Sequence, residues 1–456
     1  MLAAVGSAWA LFFGLALIMI GNGLQSALLG VRAELEGFGA TVTGIIMTGY
    51  FVGFLVGSRL VPYMILKVGH VRTFAALASL TSITILIHPA YVDAWVWTAM
   101  RFLTGLGYAG LYIVCESWLN DRATNKTRGQ LLAAYMIVML GGAAAGSLLL
   151  GTVAPWSFRP FILISVLMSF AVIPILLSAA PAPAVDQPEA MSLKRLYQAS
   201  PLGVVGALLV GSTQGLFFGM GAVYATRAGL SVPETSIFMM GAFVGGMIMT
   251  WPIGRLSDVF DRRLILTGTT FCAALAAVGG ALLTNRLDWM LYLAMALFGG
   301  FNQPLYSLCI SHTNDFLTPK QMVRASGTLV MLTGIGSIMG PMMAAAAMDS
   351  VGPWGYFWAL AVLQTILGLF AIYRISRRPA RPLEEQGAYV AVPANPTPVT
   401  ASLNPEIDWP DSADAPAPDD LQDDMPEPPL APDERSPDAI DPDEPDDDRP
   451  DTPLKA

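Results

Sequence analysis

The chain has 456 residues, of which 54% are hydrophobic and 13% are charged. Water-soluble domains carry about 25% charged residues, so the composition excludes an ordinary soluble domain and indicates a polytopic membrane protein. The net charge of −9 conceals two unlike parts: residues 1–378 hold 21 Lys and Arg against 13 Asp and Glu, a balance of +8, and residues 379–456 hold 4 against 21, a balance of −17.

A helix of roughly 20 apolar residues crosses a bilayer. Twelve segments approach or exceed that length, at 5–29, 42–66, 72–89, 94–119, 129–152, 157–179, 201–227, 233–256, 264–284, 289–312, 322–347 and 353–374. The first has no basic residue before it and no small-residue cleavage site, so it reads as a retained span and not a signal peptide. The more polar stretch AAPAPAVDQPEAMSLKRLYQASP divides the segments six and six. The expected fold is therefore an all-α membrane protein of twelve transmembrane helices, with an N-terminal half (1–179), a cytoplasmic linker (180–200) and a C-terminal half (201–376). Lys and Arg gather in alternate loops, at Lys67, Arg72, Arg122, Lys126, Arg128, Lys194, Arg195, Arg262, Arg263, Lys320 and Arg324, and after the last span at Arg374, Arg377 and Arg378. Such loops stay cytoplasmic, which places both termini and the tail in the cytoplasm of a plasma (inner) membrane protein.

The two halves repeat one another. TGIIMTGYFVG (Thr43 to Gly53) aligns with TSIFMMGAFVG (Thr235 to Gly245) at an offset of 192, and LYIVCESWLND (Leu111 to Asp121) with LYSLCISHTND (Leu305 to Asp315) at 194. Duplicated halves around a central site are a transporter architecture.

The loop GRLSDVFDRR (Gly254 to Arg263) resembles the signature loop of the major facilitator superfamily: Gly254, Asp258, Arg262 and Arg263 match, while Val259 and Asp261 depart from the pattern. The first-half loop PYMILKVGHVR keeps Gly69 but has Leu66 where the acid belongs. RFLTGLG (Arg101 to Gly107) and GSIMGP (Gly336 to Pro341) resemble further elements of the same superfamily, and the full set is most similar to the YcaD-type permeases. The resemblance implies that Gly254, Asp258, Arg262 and Arg263 gate, with Asp258 latching the outward-facing state against the fifth helix near Arg128. It implies no particular cargo.

Ionisable groups in the hydrocarbon core are costly, at least about 2.5–3.5 kcal/mol for a central Arg, and so mark candidate sites. Arg101 and Glu116 lie on the fourth segment, about 60° apart around the helix axis and ~22 Å along it, with Gly105, Tyr108 and Tyr112 on the strip between. Arg101 suits an anionic group and Glu116 a proton, or each serves only to satisfy helix-end groups and the interface. The repeat puts Met295 opposite Arg101 and Ile310 opposite Glu116, and a residue in one copy alone points to a one-sided task. Asn22 and Gln25 share a face of the first segment; with Gln214, Asn302, Gln303 and Tyr306 they complete the candidate substrate set, or else act as interhelical glue. Small residues at four-residue spacing, namely Gly142 and Gly146, Gly336 and Gly340 with Pro341, and Gly49, Gly53 and Gly57, suit close helix packing.

Residues 377–456 are rich in Pro, Asp and Ala and read as a disordered acidic tail, a solvated extension with no part in transport or else one that binds a basic partner or regulates assembly. Cys115, Cys272 and Cys309 and the scattered His70, His88 and His312 make no metal or nucleophile constellation, and no Walker-type phosphate loop is present. The sequence thus predicts a secondary transporter of a small organic solute, proton-coupled, without cofactor, metal or nucleic-acid partner, embedded in lipid as a monomer. An enzyme is not expected. A non-transporting sensor of the same fold is the alternative.

Overall fold

The computed structural model describes residues 8–124, 126–177, 190–283, 288–377, 381–393 and 396–400. Among them twelve long helices run in chain order. They are α1 (Trp9–Leu35), α2 (Ala40–Val68), α3 (His70–Ala90), α4 (Ala94–Asp121), α5 (Arg128–Leu149), α6 (Arg159–Leu177), α7 (Pro201–Arg227), α8 (Val232–Val259), α9 (Arg262–Leu283), α10 (Asp288–Asn314), α11 (Pro319–Val351) and α12 (Gly355–Arg377). Eleven are long and apolar enough to cross a membrane. The exception is α4, whose length of 28 residues suffices but whose Arg101, Tyr108, Tyr112 and Glu116 lower its hydropathy. Residues Gly107 to Leu119 of α4 are buried without a break. A helix wrapped by protein on every side need not present an apolar face to lipid, so its polar content has a place to be.

Local signals set several boundaries. The Asp93 carboxylate accepts from the backbone N–H groups of Trp95 and Val96 at 2.9 and 3.0 Å, capping α4. Ser231 with Glu234 and Thr318 with Gln321 form capping boxes at α8 and α11. A single residue, Gly69, separates α2 from α3; its φ of 86° lies in the left-handed region that L side chains avoid.

Packing repeats between the two sets of six. In the first, α1 lies against α5 and α6, α2 against α4, and α3 against α4 and α6; in the second, α7 lies against α11 and α12, α8 against α10, and α9 against α10 and α12. Glycine allows the closest of these approaches. A Cβ on Gly53 would strike the carbonyl of Phe102, and one on Gly245 that of Ala296, at corresponding places in the repeat. Gly142 and Gly146 meet α1 at Met19 and Ile20, Gly336 and Gly340 meet α7 at Leu208 and Ser212, and the Pro341 ring rests on Gly219. The two sets meet through α2 with α11, α5 with α8, and α1 with α7.

The bundle has a basic end, formed by the turns after α2, α4, α8 and α10, and an opposite end that is tied shut. At the opposite end Arg227 of α7 pairs with Glu34 of α1 at 2.9 Å and Asp349 of α11 at 3.5 Å, and Thr41 of α2 donates to Asp349 at 2.7 Å. At the basic end residues 387–393 and 396–400 return into the bundle, where Val390 and Val392 are each 5% exposed and Thr397 is fully buried. The solvated tail expected from residue 377 onward is corrected here. No Asp, Glu, Lys or Arg occurs from Gln386 to Pro405, so this stretch has no charge to keep it in water. Residues 401–456 lie outside the described residues.

Candidate functional site

Helices α1, α2, α4, α5, α7, α8 and α10 surround a cavity lined by Asn22, Ser26, Tyr50, Phe51, Arg101, Tyr112, Met139, Phe218, Phe243 and Gln303, among others. It lies where the two sets face one another. Its volume of about 50 Å³ holds a few waters. A larger solute would require the walls to part.

The polar groups on the α1–α4 side are held by one another. The Asn22 amide donates to the Tyr112 hydroxyl at 2.9 Å, which in turn reaches the Met19 sulfur at 3.2 Å. Tyr108 is fully buried behind them and donates to Gln25 Oε1 at 3.4 Å. The Arg101 guanidinium lies 4.5 Å from the centroid of the Tyr50 ring, a cation–π contact. Arg101 is 3% exposed, and its Nε has no hydrogen-bond partner among the described residues. No carboxylate pairs with it among the described residues. On the far wall the Gln214 amide donates to Gln303 Oε1 at 3.2 Å, and Gln303 Nε2 is buried without a partner among the described residues. Buried donors left unpaired cost about 1–3 kcal/mol each, more when charged. This cavity therefore offers a fixed cation and free donors to whatever occupies it.

The structure thus gathers Asn22, Arg101, Tyr112 and Gln303 around one space, with Gln25, Tyr108 and Gln214 directly behind. Asn302 is turned away, accepting from Gln364 of α12 at 2.7 Å. Adjacent residues on a helix point about 100° apart, so Asn302 and Gln303 do not share a cavity. Tyr306 lines a second, separate space near the basic end, with Asn314, Val390, Val392, Thr397 and Thr400. Tyr50 was not among the expected residues. It stands in the repeat TGIIMTGYFVG where the second copy has Ala242, so the one-copy criterion that singled out Arg101 and Glu116 selects it too.

Glu116 lies toward the basic end of α4 and is fully buried. Tyr135 of α5 donates to its Oε1 at 2.6 Å, and Thr397 and, at 2.8 Å, Thr400 donate to its Oε2. No cation pairs with it among the described residues. Three hydroxyl groups thus converge on its two oxygens. Withdrawal of the two threonines would leave it with Tyr135 alone.

The signature loop is engaged from an unexpected quarter. The Asp258 carboxylate accepts from the backbone N–H of Tyr389 at 2.7 Å and lies 3.9 Å from Arg262. Among the described residues no hydrogen bond or ion pair joins Asp258 to α5. Arg262 forms a buried ion pair with Asp315 at 2.7 Å and donates to the carbonyl of Gly387. Gly254 has the Tyr389 ring directly above it, where a Cβ would clash. Arg263 instead pairs with Asp261 at 2.8 Å. Burial alone would raise the Asp261 carboxyl, but hydrogen bonds from Arg263 outweigh it and hold the group below the usual Asp value.

The sequence matches the Major Facilitator Superfamily over residues 11–311 and 204–409. It is 28% identical over 378 residues to the uncharacterized MFS-type transporter YcaD of Escherichia fergusonii, a match covering 82% of this chain and 97% of that protein. Its fold is similar to that of a bacterial homologue of the human lysosomal transporter Spinster in an inward-facing, occupied conformation, with a TM-score of 0.67, 16% identity and coverage of 85% of this chain and 99% of that one. It is also similar to the nucleoside transporter NupG, with a TM-score of 0.63, 13% identity and coverage of 81% and 98%. At these identities the structural likeness concerns the fold alone.

Proposed function

Because the chain belongs to the Major Facilitator Superfamily, we propose that it is a secondary transporter that moves a small organic anion by alternating access, coupled to protons. In this reading all twelve long helices span the membrane, the basic end faces the cytoplasm, and the two six-helix sets rock about the central cavity. The observation that carries the substrate class is Arg101, a buried guanidinium on the cavity wall with no counter-ion among the described residues. A carboxylate or similar anion supplies the missing charge and accepts from Arg101 and the amides at Asn22 and Gln303. The aromatic and methionine walls at Tyr50, Phe51, Phe218, Phe243 and Met139 take an apolar body.

Glu116 is the proton carrier. It is the one buried carboxylate on the helix that also bears Arg101, and its surroundings change if the contacts at Thr397 and Thr400 part. Purified protein in liposomes with an internal pH dye tests both roles against a panel of organic acids. An acid that drives proton movement with the wild type but not with Glu116→Gln, and is not bound by Arg101→Gln, supports the reading. Equal fluxes in wild type and Glu116→Gln with a silent dye would remove proton coupling. The second reading, a non-transporting sensor, draws on the C-terminal segment seated among the helices, and is favoured if no solute moves while ligands still bind.

A further inference from the structure

One stripe of α10 reads the returning segment like a ladder. Ser307, Ser311 and Asp315 stand four residues apart on that helix. The N–H groups of Val392, Val390 and Gly387 donate to them in turn, at 2.9, 3.4 and 3.1 Å, and the Ser307 hydroxyl returns a bond to the Val392 carbonyl at 3.3 Å. The spacing has a simple origin. Four residues of helix rise about 6.0 Å and two residues of extended chain advance about 6.7 Å, so Val392 and Val390, two apart, meet successive turns at Ser307 and Ser311, while Gly387, three residues further back, meets the next at Asp315. Asp258 of α8 accepts a further hydrogen bond from the Tyr389 N–H. Beyond residue 393 the segment crosses to the other set of helices, where Thr397 and Thr400 donate to Glu116 of α4. Between these anchors Pro393 forms part of the wall of the central cavity, and Pro396 lines a crevice between α2 and α11.

We propose that residues 387–393 and 396–400 are an internal wedge. They fasten to α8 and α10 on one side and to Glu116 on the other, and so hold the basic ends of the two sets apart while closing the route from that end to the cavity. The protein at rest is therefore plugged with its opposite end shut, and exchange with the basic side requires the segment to leave. Three features of the stretch suit it to this place. It is uncharged from Gln386 to Pro405. Its prolines at 393, 396 and 398 lack the N–H groups that would otherwise need buried partners. The Tyr389 phenol, pushed up by burial, stays neutral.

The inference rests on the reading of the cavity as the substrate site, but its test reads access and not flux, so it stands or falls whether or not a solute is ever transported. Met136→Cys places a thiol on the cavity wall. A bulky sulfonated maleimide is applied to the basic side of the membrane in oriented vesicles, and modification at position 136 is followed by peptide mass spectrometry. The full chain should label slowly. A chain ending at Glu385 should label at least tenfold faster, and so should the full-length chain carrying Val390→Asp and Val392→Asp, which guards against misfolding of the shortened form. The pair Ser307→Cys and Val392→Cys should form a disulfide in native membranes, and labelling at 136 should be slow in the oxidised protein. Equal labelling rates with and without the segment, or failure of the 307–392 pair to cross-link, would overturn the proposal.

Discussion

Arg227→Gln should release the end of the molecule opposite the wedge. Arg227 lies between Glu34 at 2.9 Å and Asp349 at 3.5 Å, with side-chain exposures of 23%, 15% and 44% respectively. Fully exposed pairs contribute about 0–1 kcal/mol, and loss of one partner from a fully buried pair costs roughly 3–5 kcal/mol. The Arg227 cluster lies between these limits and nearer the first, so its loss should cost the closed end about 1–2 kcal/mol. At about 1.4 kcal/mol per tenfold, that is roughly a 5- to 30-fold shift toward the state in which this end is parted. A parted population of about 1% would then rise to between about 5% and 25%. Spin labels at Leu35 and Val351, exposed at 53% and 48%, report the separation of α1 from α11 by pulsed double resonance. The wedge is present in both proteins and cancels in the comparison. Glu34→Gln should produce a similar change, and the double substitution should fall short of the sum. An unchanged distance distribution in Arg227→Gln would refute the argument, because it would mean that packing of α2 on α11 and α1 on α7 holds the closed end without help from charge.

Arg101→Lys keeps the charge but loses the planar fork and its place over the Tyr50 ring, so it should weaken organic-anion binding about 10-fold while Arg101→Gln abolishes it, as read by ligand-induced thermal stabilisation. Gly340→Leu would drive a side chain into the α7 backbone at Ser212 and Leu216, whereas for Gly268→Leu an added Cβ has open space within 4 Å. The first should lower stability by about 3 kcal/mol or more and the second by less than about 0.5 kcal/mol, measured as unfolding in detergent. Asp93→Ala removes the cap of α4 and should cost about 1 kcal/mol, visible as a small fall in melting temperature with no loss of the 307–392 cross-link.

Hydropathy and the internal repeat make the all-helical membrane fold and the close glycine contacts legible, because each depends on neighbours in sequence or on an offset that both copies share. The site was legible only in part. Periodicity states which residues lie on one face of a helix but not what that face meets, which is why Arg101 and Tyr112 reach one cavity while Asn302 turns to Gln364 of α12. The ties at Arg227, Glu34 and Asp349 join residues far apart in the chain, and no local pattern announces them. The returning segment was hidden by averaging: 78 residues with a balance of −17 read as one acidic tail, although GAYVAVPANPTPVT (Gly387 to Thr400) within it has the composition of something buried.

The same segment also gives the repeat a second meaning. Ser311 and Asp315 belong to the copy LYSLCISHTND, and Glu116 belongs to LYIVCESWLND. The first copy keeps Ser117 and Asp121 at the corresponding places, but it is Glu116, absent from the second copy, that holds the threonines. A duplicated helix pair thus presents two different faces to one peptide: a ladder of side-chain acceptors for main-chain N–H groups on one side and a lone carboxylate on the other. Asymmetry of this kind is what a plug needs, since a segment bound alike by both sets would have no preferred direction across the gap. It also places the proposed proton carrier under the plug, so that release of the segment and change at Glu116 are a single event. Either one, once measured, constrains the other.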